Sequence, residues 1–253
     1  MQPRLELIKL IKSTRTLFDG FGEMQRTPTR RSSNDPTTPA DIKVANHLVE
    51  GIKSLFPSDN VIVEDGKGVQ NNSDITWVIN PIDGTIPFIY GIPTYIVSIY
   101  RIKNNKVNYA LTYSPVLDYV YESGDGITSL NSQVLAVSNT NQLNDAIVVI
   151  PSYAPFAIPG IQKKMEDNGI RVIFQEGLIF RSNLVASGYI DATIQPTLKM
   201  YESGAVILTI ENAGGIVAGF TGEKPQLMQT NQNIIISNKN LYPSLSTILQ
   251  DLV

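Results

Sequence analysis

Residues 77–93 read Trp-Val-Ile-Asn-Pro-Ile-Asp-Gly-Thr-Ile-Pro-Phe-Ile-Tyr-Gly-Ile-Pro, and no other stretch limits the fold so sharply. Trp77, Val78 and Ile79 are strand formers, and Pro81 has no N–H to offer a neighbouring strand. A strand that stops there delivers Asn80 and Asp83 to its own end. Gly84 permits a sharp turn, and Thr85 can cap the next element. An acid, a glycine and a hydroxyl at a strand end suit a corner where backbone N–H groups face an anion and a carboxylate holds a cation. The same residues also suit an ordinary Asp-Gly turn that binds nothing.

The rest of the chain is long enough to build a core around that corner: 253 residues, 42% hydrophobic, in one large domain or two small lobes. A net charge of −3 with both signs interspersed argues against a nucleic-acid surface. The absence of Cys excludes disulfides, zinc thiolates and a cysteine nucleophile. Residues 1–9 mix charged and apolar types, unlike a signal peptide, and no apolar run approaches the ~18 residues of a membrane span. A soluble cytoplasmic protein with no nucleic-acid or membrane partner is the expectation.

Apolar spacing predicts an amphipathic helix over 3–19. Residues 20–39 form a long polar loop carrying Arg26, Arg30 and Arg31, which suit either solvated surface or a phosphate-facing role. Thr38-Pro39-Ala40-Asp41 is a helix start, with the helix running to about Phe56 and burying Val44, Ala45, Leu48, Ile52 and Leu55. His47, the sole histidine, lies off that stripe and reads as a surface residue; no motif supports a Ser-His-Asp triad. A short strand at 61–63 ends in Glu64-Asp65-Gly66. Further strands are predicted at 95–102, 107–113, 119–122 and 129–135, with connections short enough for antiparallel pairing. From residue 146 helices and strands alternate: strands at 146–150, 171–174, 190–194, 216–220 and 234–237, helices at 158–168, 179–187, 200–213 and 242–252.

With its spacing intact, the 77–93 stretch resembles the signature of the inositol monophosphatase family, part of the larger group that includes fructose-1,6-bisphosphatases and 3′-phosphoadenosine phosphatases. The signature is Trp-x-x-Asp-Pro-Ile/Leu-Asp-Gly-Thr-x-x-Phe-x-x-Gly-x-Pro. Trp77, Pro81, Ile82, Asp83, Gly84, Thr85, Phe88, Gly91 and Pro93 fall in register. Further blocks match at Thr38-x-x-Asp41, Glu64-Asp65, Val185-Ala186-x-Gly188-x-x-Asp191, and Tyr201-Glu202 followed by Glu211-x-Ala213-Gly214-Gly215.

The resemblance implies a layered α-β-α-β-α fold of the α+β class. An N-terminal half over 1–140 would carry an antiparallel sheet, and an α/β half over 141–253 would complete a cleft. It implies hydrolysis of a small phosphorylated metabolite with one to three Mg²⁺ ions, in a homodimer. Glu64, Asn80, Asp83, Glu202 and the Ile82 carbonyl fall on metal-ligand positions. Asp41 and Thr85 fall on water-positioning ones, and phosphate would rest on the Gly84–Thr85 backbone. Gln195 stands where inositol phosphatases place a hydroxyl-binding glutamate.

Three departures bear on function. Asn80 replaces a ligand aspartate; an amide has one good ligand oxygen and cannot bridge two ions as a carboxylate does. Glu202 keeps the charge of an aspartate but adds a methylene, and an acid in the first turn of a helix is favourable through the helix dipole alone. Ile86-Pro87 replaces the usual Thr-Asn and changes the pocket wall. The expectation is an intact fold that binds phosphate, with a weakened second ion and hydrolysis reduced, or lost in favour of phospho-ligand or protein binding.

Overall fold

Two sheets carry the chain, and the alternation of side chains along their central strands decides what covers each face. The structure is a computed structural model that describes residues 2–18, 29–32, 35–64, 66 and 68–252. A hairpin of β1 (Thr29–Ser32) and β2 (Asp35–Thr37) precedes the sheets. The first sheet contains β3 (Asn60–Val63), β4 (Gly68–Val69), β5 (Ile75–Asp83), β6 (Ile96–Lys103), β7 (Lys106–Ser114), β8 (Tyr119–Gly124), β9 (Ile127–Leu130) and β10 (Gln133–Val134). Its spatial order is β10-β9-β8-β7-β6-β5-β3-β4, antiparallel except for the parallel β3–β5 pair. The second sheet contains β11 (Ile147–Ile150), β12 (Arg171–Phe174), β13 (Ala192–Leu198), β14 (Gly215–Gly219) and β15 (Gln232–Asn238), in the order β12-β11-β13-β15-β14.

On β5, Trp77 and Ile79 face one core while Val78 faces another; on β6, Val97 and Ile99 part from Ile96 and Tyr100 in the same way. Successive strand residues point to opposite faces, so both faces of the first sheet are apolar and both need cover. One face is covered by α1 (Gln2–Ser13) and α3 (Pro39–Leu55), through Leu7, Ile11, Val44, Leu48 and Ile52. The other packs on α7 (Leu178–Ala186) and α8 (Met200–Asn212), which also contact the second sheet through Val149, Ile234 and Ile236. The far face of that sheet, with Val148, Ile150 and Ile235, is closed by α6 (Ile161–Asp167) and α9 (Tyr242–Leu249). The order of layers is helix, sheet, helix, sheet, helix.

Local structure departs from the sequence reading at several points. The first helix ends at Ser13, and a separate turn, α2 (Arg15–Phe18), comes after it. Pro81 does not end its strand: β5 continues to Asp83 through an irregular step between Asn80 and Asp83, the kind of bulge in which a strand proline is tolerated. The strand expected over 129–135 is two, β9 and β10, joined through Asn131 and Ser132 at positive φ. A short helix, α4 (Thr85–Tyr90), leaves the Asp-Gly corner, and α5 (Ala154–Ala157) precedes α6. Arg26 lies outside the described residues, as do the side chains of Arg30 and Arg31. Among the described residues no helix is long and apolar enough to cross a membrane.

Candidate active site

The bulge that carries Pro81 turns the end of β5 toward the middle helical layer. Asp83 there is 4% exposed, and its Oδ2 accepts hydrogen bonds from the backbone N–H of Ile179 (2.9 Å) and of Phe180 (3.4 Å). It thus caps the start of α7, a helix that has no side-chain cap of its own. The backbones must come close for this. Gly84 and Gly177 both sit at positive φ (84° and 85°), and a Cβ on either would lie 3.2 Å from the Thr94 carbonyl oxygen. Only glycine meets both conditions without strain. Thr85 Oγ1 donates to the Ile82 carbonyl (3.1 Å), which keeps a second lone pair.

The start of α8 forms the opposite wall. Tyr100, from β6, donates its hydroxyl to the Met200 carbonyl (2.6 Å), and its ring lies where a Cβ on Gly204 would be only 2.3 Å from Cε2. Glu202 accepts from the Lys199 backbone N–H through Oε2 (3.2 Å), capping α8. The Lys199 ammonium lies over the Tyr201 ring, 5.5 Å from its centroid.

Between these walls lies a cavity of about 130 Å³, lined by Glu64, Asn80, Ile82, Asp83, Gly84, Thr85, Gln195 and Glu202 among others. Eight sequence-predicted site residues therefore meet in one place. Asp41 is not among them. It is buried at the start of α3, where Oδ2 accepts from both the N–H and the Oγ1 of Thr38 (2.7 Å each). Asp65 lies outside the described residues. Asp191, in another matched block, is also absent from the lining: its carboxylate takes Ser138 Oγ (2.6 Å) and the Ile147 N–H (2.8 Å), and ties the inter-sheet linker to β11.

The electrostatics are those of acids taken out of water together. Burial pushes the Asp83 carboxyl up to about 6, against the hydrogen bonds from α7 and the nearby charges of Arg181 and Lys199. Burial, and then the charge of Asp83, push Glu202 up to about 8. A cation between these groups would relieve both. Among the described residues no group of three His, Cys, Asp or Glu side chains is arranged to hold one. The donor set for one ion is nonetheless present in other form: Glu64, one arm of Asp83, the Ile82 carbonyl and Asn80, whose Oδ1 is buried and accepts no hydrogen bond. A buried acceptor without a hydrogen-bond partner in a polar cavity fits a hard cation. Asn80 has one good ligand oxygen and cannot bridge two ions, and Oε2 of Glu202 is taken by the Lys199 N–H.

The sequence profile of the inositol monophosphatase family matches residues 6–253. The chain belongs to the inositol monophosphatase family. A fructose-1,6-bisphosphatase/inositol-1-monophosphatase of Thermotoga maritima is 24% identical over 248 residues, covering 97% of this chain and 95% of that protein. Nus factor SuhB of Salmonella typhimurium is 28% identical over 271 residues, covering 99% and 97%. A solved inositol monophosphatase structure from Thermotoga maritima superposes with a TM-score of 0.88 at 22% identity, covering 100% of this chain and 98% of that one. At that identity the superposition speaks for the fold alone. The layered architecture is thus the inositol monophosphatase fold.

The motifs that the family signature points to do not include Arg181, Lys199, Tyr153 or Glu176, which also line the cavity. Arg181 had a signal: it is the one charged residue in the otherwise uncharged α7, Leu-Ile-Phe-Arg-Ser-Asn-Leu-Val-Ala. A cation on a buried helix needs a partner or a purpose.

Proposed function

We propose that the chain is a Mg²⁺-dependent phosphomonoester hydrolase of weakened turnover, acting on a small sugar, inositol or nucleotide phosphate. One observation carries this reading: Glu64, Asn80, Ile82, Asp83 and Thr85 line a single cavity, in which the Asn80 Oδ1 is buried without a hydrogen-bond partner. Family membership supports it, because these phosphatases are generally metal-dependent. Glu64, Asn80, Ile82 and Asp83 would hold one Mg²⁺, which when bound neutralises phosphate charge and makes a water more acidic. Asp83 keeps its free arm for that ion while its other arm fixes α7. The Gly84–Thr85 backbone cradles the phosphate, and the Thr85 hydroxyl, anchored at the Ile82 carbonyl, orients the attacking water. Asp41 supports this arrangement from a distance, by fixing the start of α3.

A second reading, phosphate-ligand binding without turnover, is favoured by Glu202, which caps its own helix where a ligand acid is wanted. One relative is named Nus factor SuhB, a name that refers to something other than hydrolysis. Phosphatase assays on inositol phosphates, fructose bisphosphate and 3′-phosphoadenosine phosphate at varied Mg²⁺ separate the two. Low, Mg²⁺-dependent activity that rises at least about tenfold in Asn80→Asp/Glu202→Asp supports the first. No turnover in either protein, with phosphate binding retained, supports the second.

A further inference from the structure

Arg181 is a buried cation in this cavity to which the proposed hydrolysis gives no role. Its side chain is 1% exposed. Nε donates to the Gly177 carbonyl (3.3 Å) and Nη2 to Gln195 Oε1. Nη1 is buried and donates to nothing. Among the described residues no carboxylate lies within ion-pair distance of the guanidinium. A guanidinium has five N–H groups in a flat fork, so three remain, including both on Nη1. That is enough to meet an oxyanion with two parallel bonds.

Gln195 explains how the charge is kept available. Its Nε2 donates to the Tyr153 hydroxyl (2.7 Å), which directs Oε1 at Arg181. The amide therefore holds the guanidinium without an ion pair, where a glutamate would have formed one, and the charges of Asp83, Glu176 and Glu202 act on it only from beyond ion-pair distance. A cation taken out of water with spare donors is costly until an anion completes it. Arg181 thus brings a fixed positive charge to a site where Asn80 cannot bridge a second dication.

We propose that Arg181 binds a phosphate oxygen of the ligand directly and supplies positive charge that a second metal ion would otherwise bring. This rests on the reading that the cavity binds a phosphate monoester beside one Mg²⁺. Arg181 is then an electrostatic clamp on the phosphate, held by the Gly177 carbonyl and Gln195.

The test is calorimetric titration of inorganic phosphate into the full chain at saturating Mg²⁺, with a separate Mg²⁺ titration and a thermal melt for each variant. Arg181→Met replaces the buried cation by an apolar side chain of similar length and removes the donors to Gly177 and Gln195, so its melt shows first whether it folds. It is expected to lower phosphate affinity by about tenfold or more without lowering Mg²⁺ affinity, since it removes a positive charge near Asp83. Gln195→Glu, nearly isosteric, is expected to have the same effect by pairing with Arg181 and neutralising it. A loss below about fivefold in folded Arg181→Met overturns the proposal. If that variant does not fold, Gln195→Glu decides by the same threshold. Wild-type protein that takes up Mg²⁺ but no phosphate would overturn the functional reading itself, an outcome distinct from variants that bind phosphate as well as wild type.

Discussion

Asp83 meets two demands that pull against each other. Its Oδ2 caps α7, and burial in the same place disfavours its charged form and raises the carboxyl to about 6. A carboxyl that binds its proton more tightly folded than unfolded contributes stability below the unfolded value, near 3.8, and loses it as pH climbs through about 6. In chelator, then, Asp83→Asn should keep the cap through its amide oxygen and escape this loss. It should be more stable than wild type at pH 7 by about 1–3 kcal/mol, with the two proteins converging toward pH 4. With Mg²⁺ the order should reverse, because the variant lacks a ligand. Paired melts at the two pH values, with and without Mg²⁺, check this; a variant less stable than wild type in chelator at pH 7 refutes it.

At the scale of elements, α8 is placed by one ring and one glycine. Tyr100 reaches across from the first sheet to the Met200 carbonyl, and the absence of a side chain at Gly204 lets the helix lie against the ring. Gly204→Ala would put a methyl 2.3 Å from a ring atom, in a core with no room to give. The expected destabilisation is about 1–3 kcal/mol, a Tm lower by ~2–4 °C for each kcal/mol. Shortening the ring in Gly204→Ala/Tyr100→Leu should recover part of it relative to Tyr100→Leu alone; additive losses would show that the ring is not the cause. This contact is invisible in sequence, where Gly204 is only a glycine in a helix. What could be read was local: the Thr38–Asp41 capping box and the strand Arg171–Phe174 appear where residue spacing places them. Pro81 misled because a bulge, set by pairing with β6, absorbs the missing N–H.

Across the whole molecule, the cavity lies where the first sheet, the middle helices and the second sheet meet, and its lining draws on all three. The family motifs name what comes from β3, β5 and the start of α8. They are silent on Arg181: a lone charge in an otherwise uncharged helix hints at burial, but its contact with Gln195 across the cavity cannot be read from residue order. An ion held by Glu64, Asn80, Ile82 and Asp83 would bind the folded state in preference, since only the fold brings Glu64 to the 80–83 segment and fixes the directions of all four donors. Mg²⁺ at about a hundred times its Kd should therefore stabilise the protein by about 2.7 kcal/mol, raising Tm by roughly 5–10 °C. Because Asn80 has one ligand oxygen, the dependence of stability on the logarithm of Mg²⁺ concentration should have the slope of one ion. In Asn80→Asp, where a carboxylate can bridge again, the slope should rise toward two. A wild-type slope of two would mean that a second ion binds without the bridge, and that the buried guanidinium does not take its place.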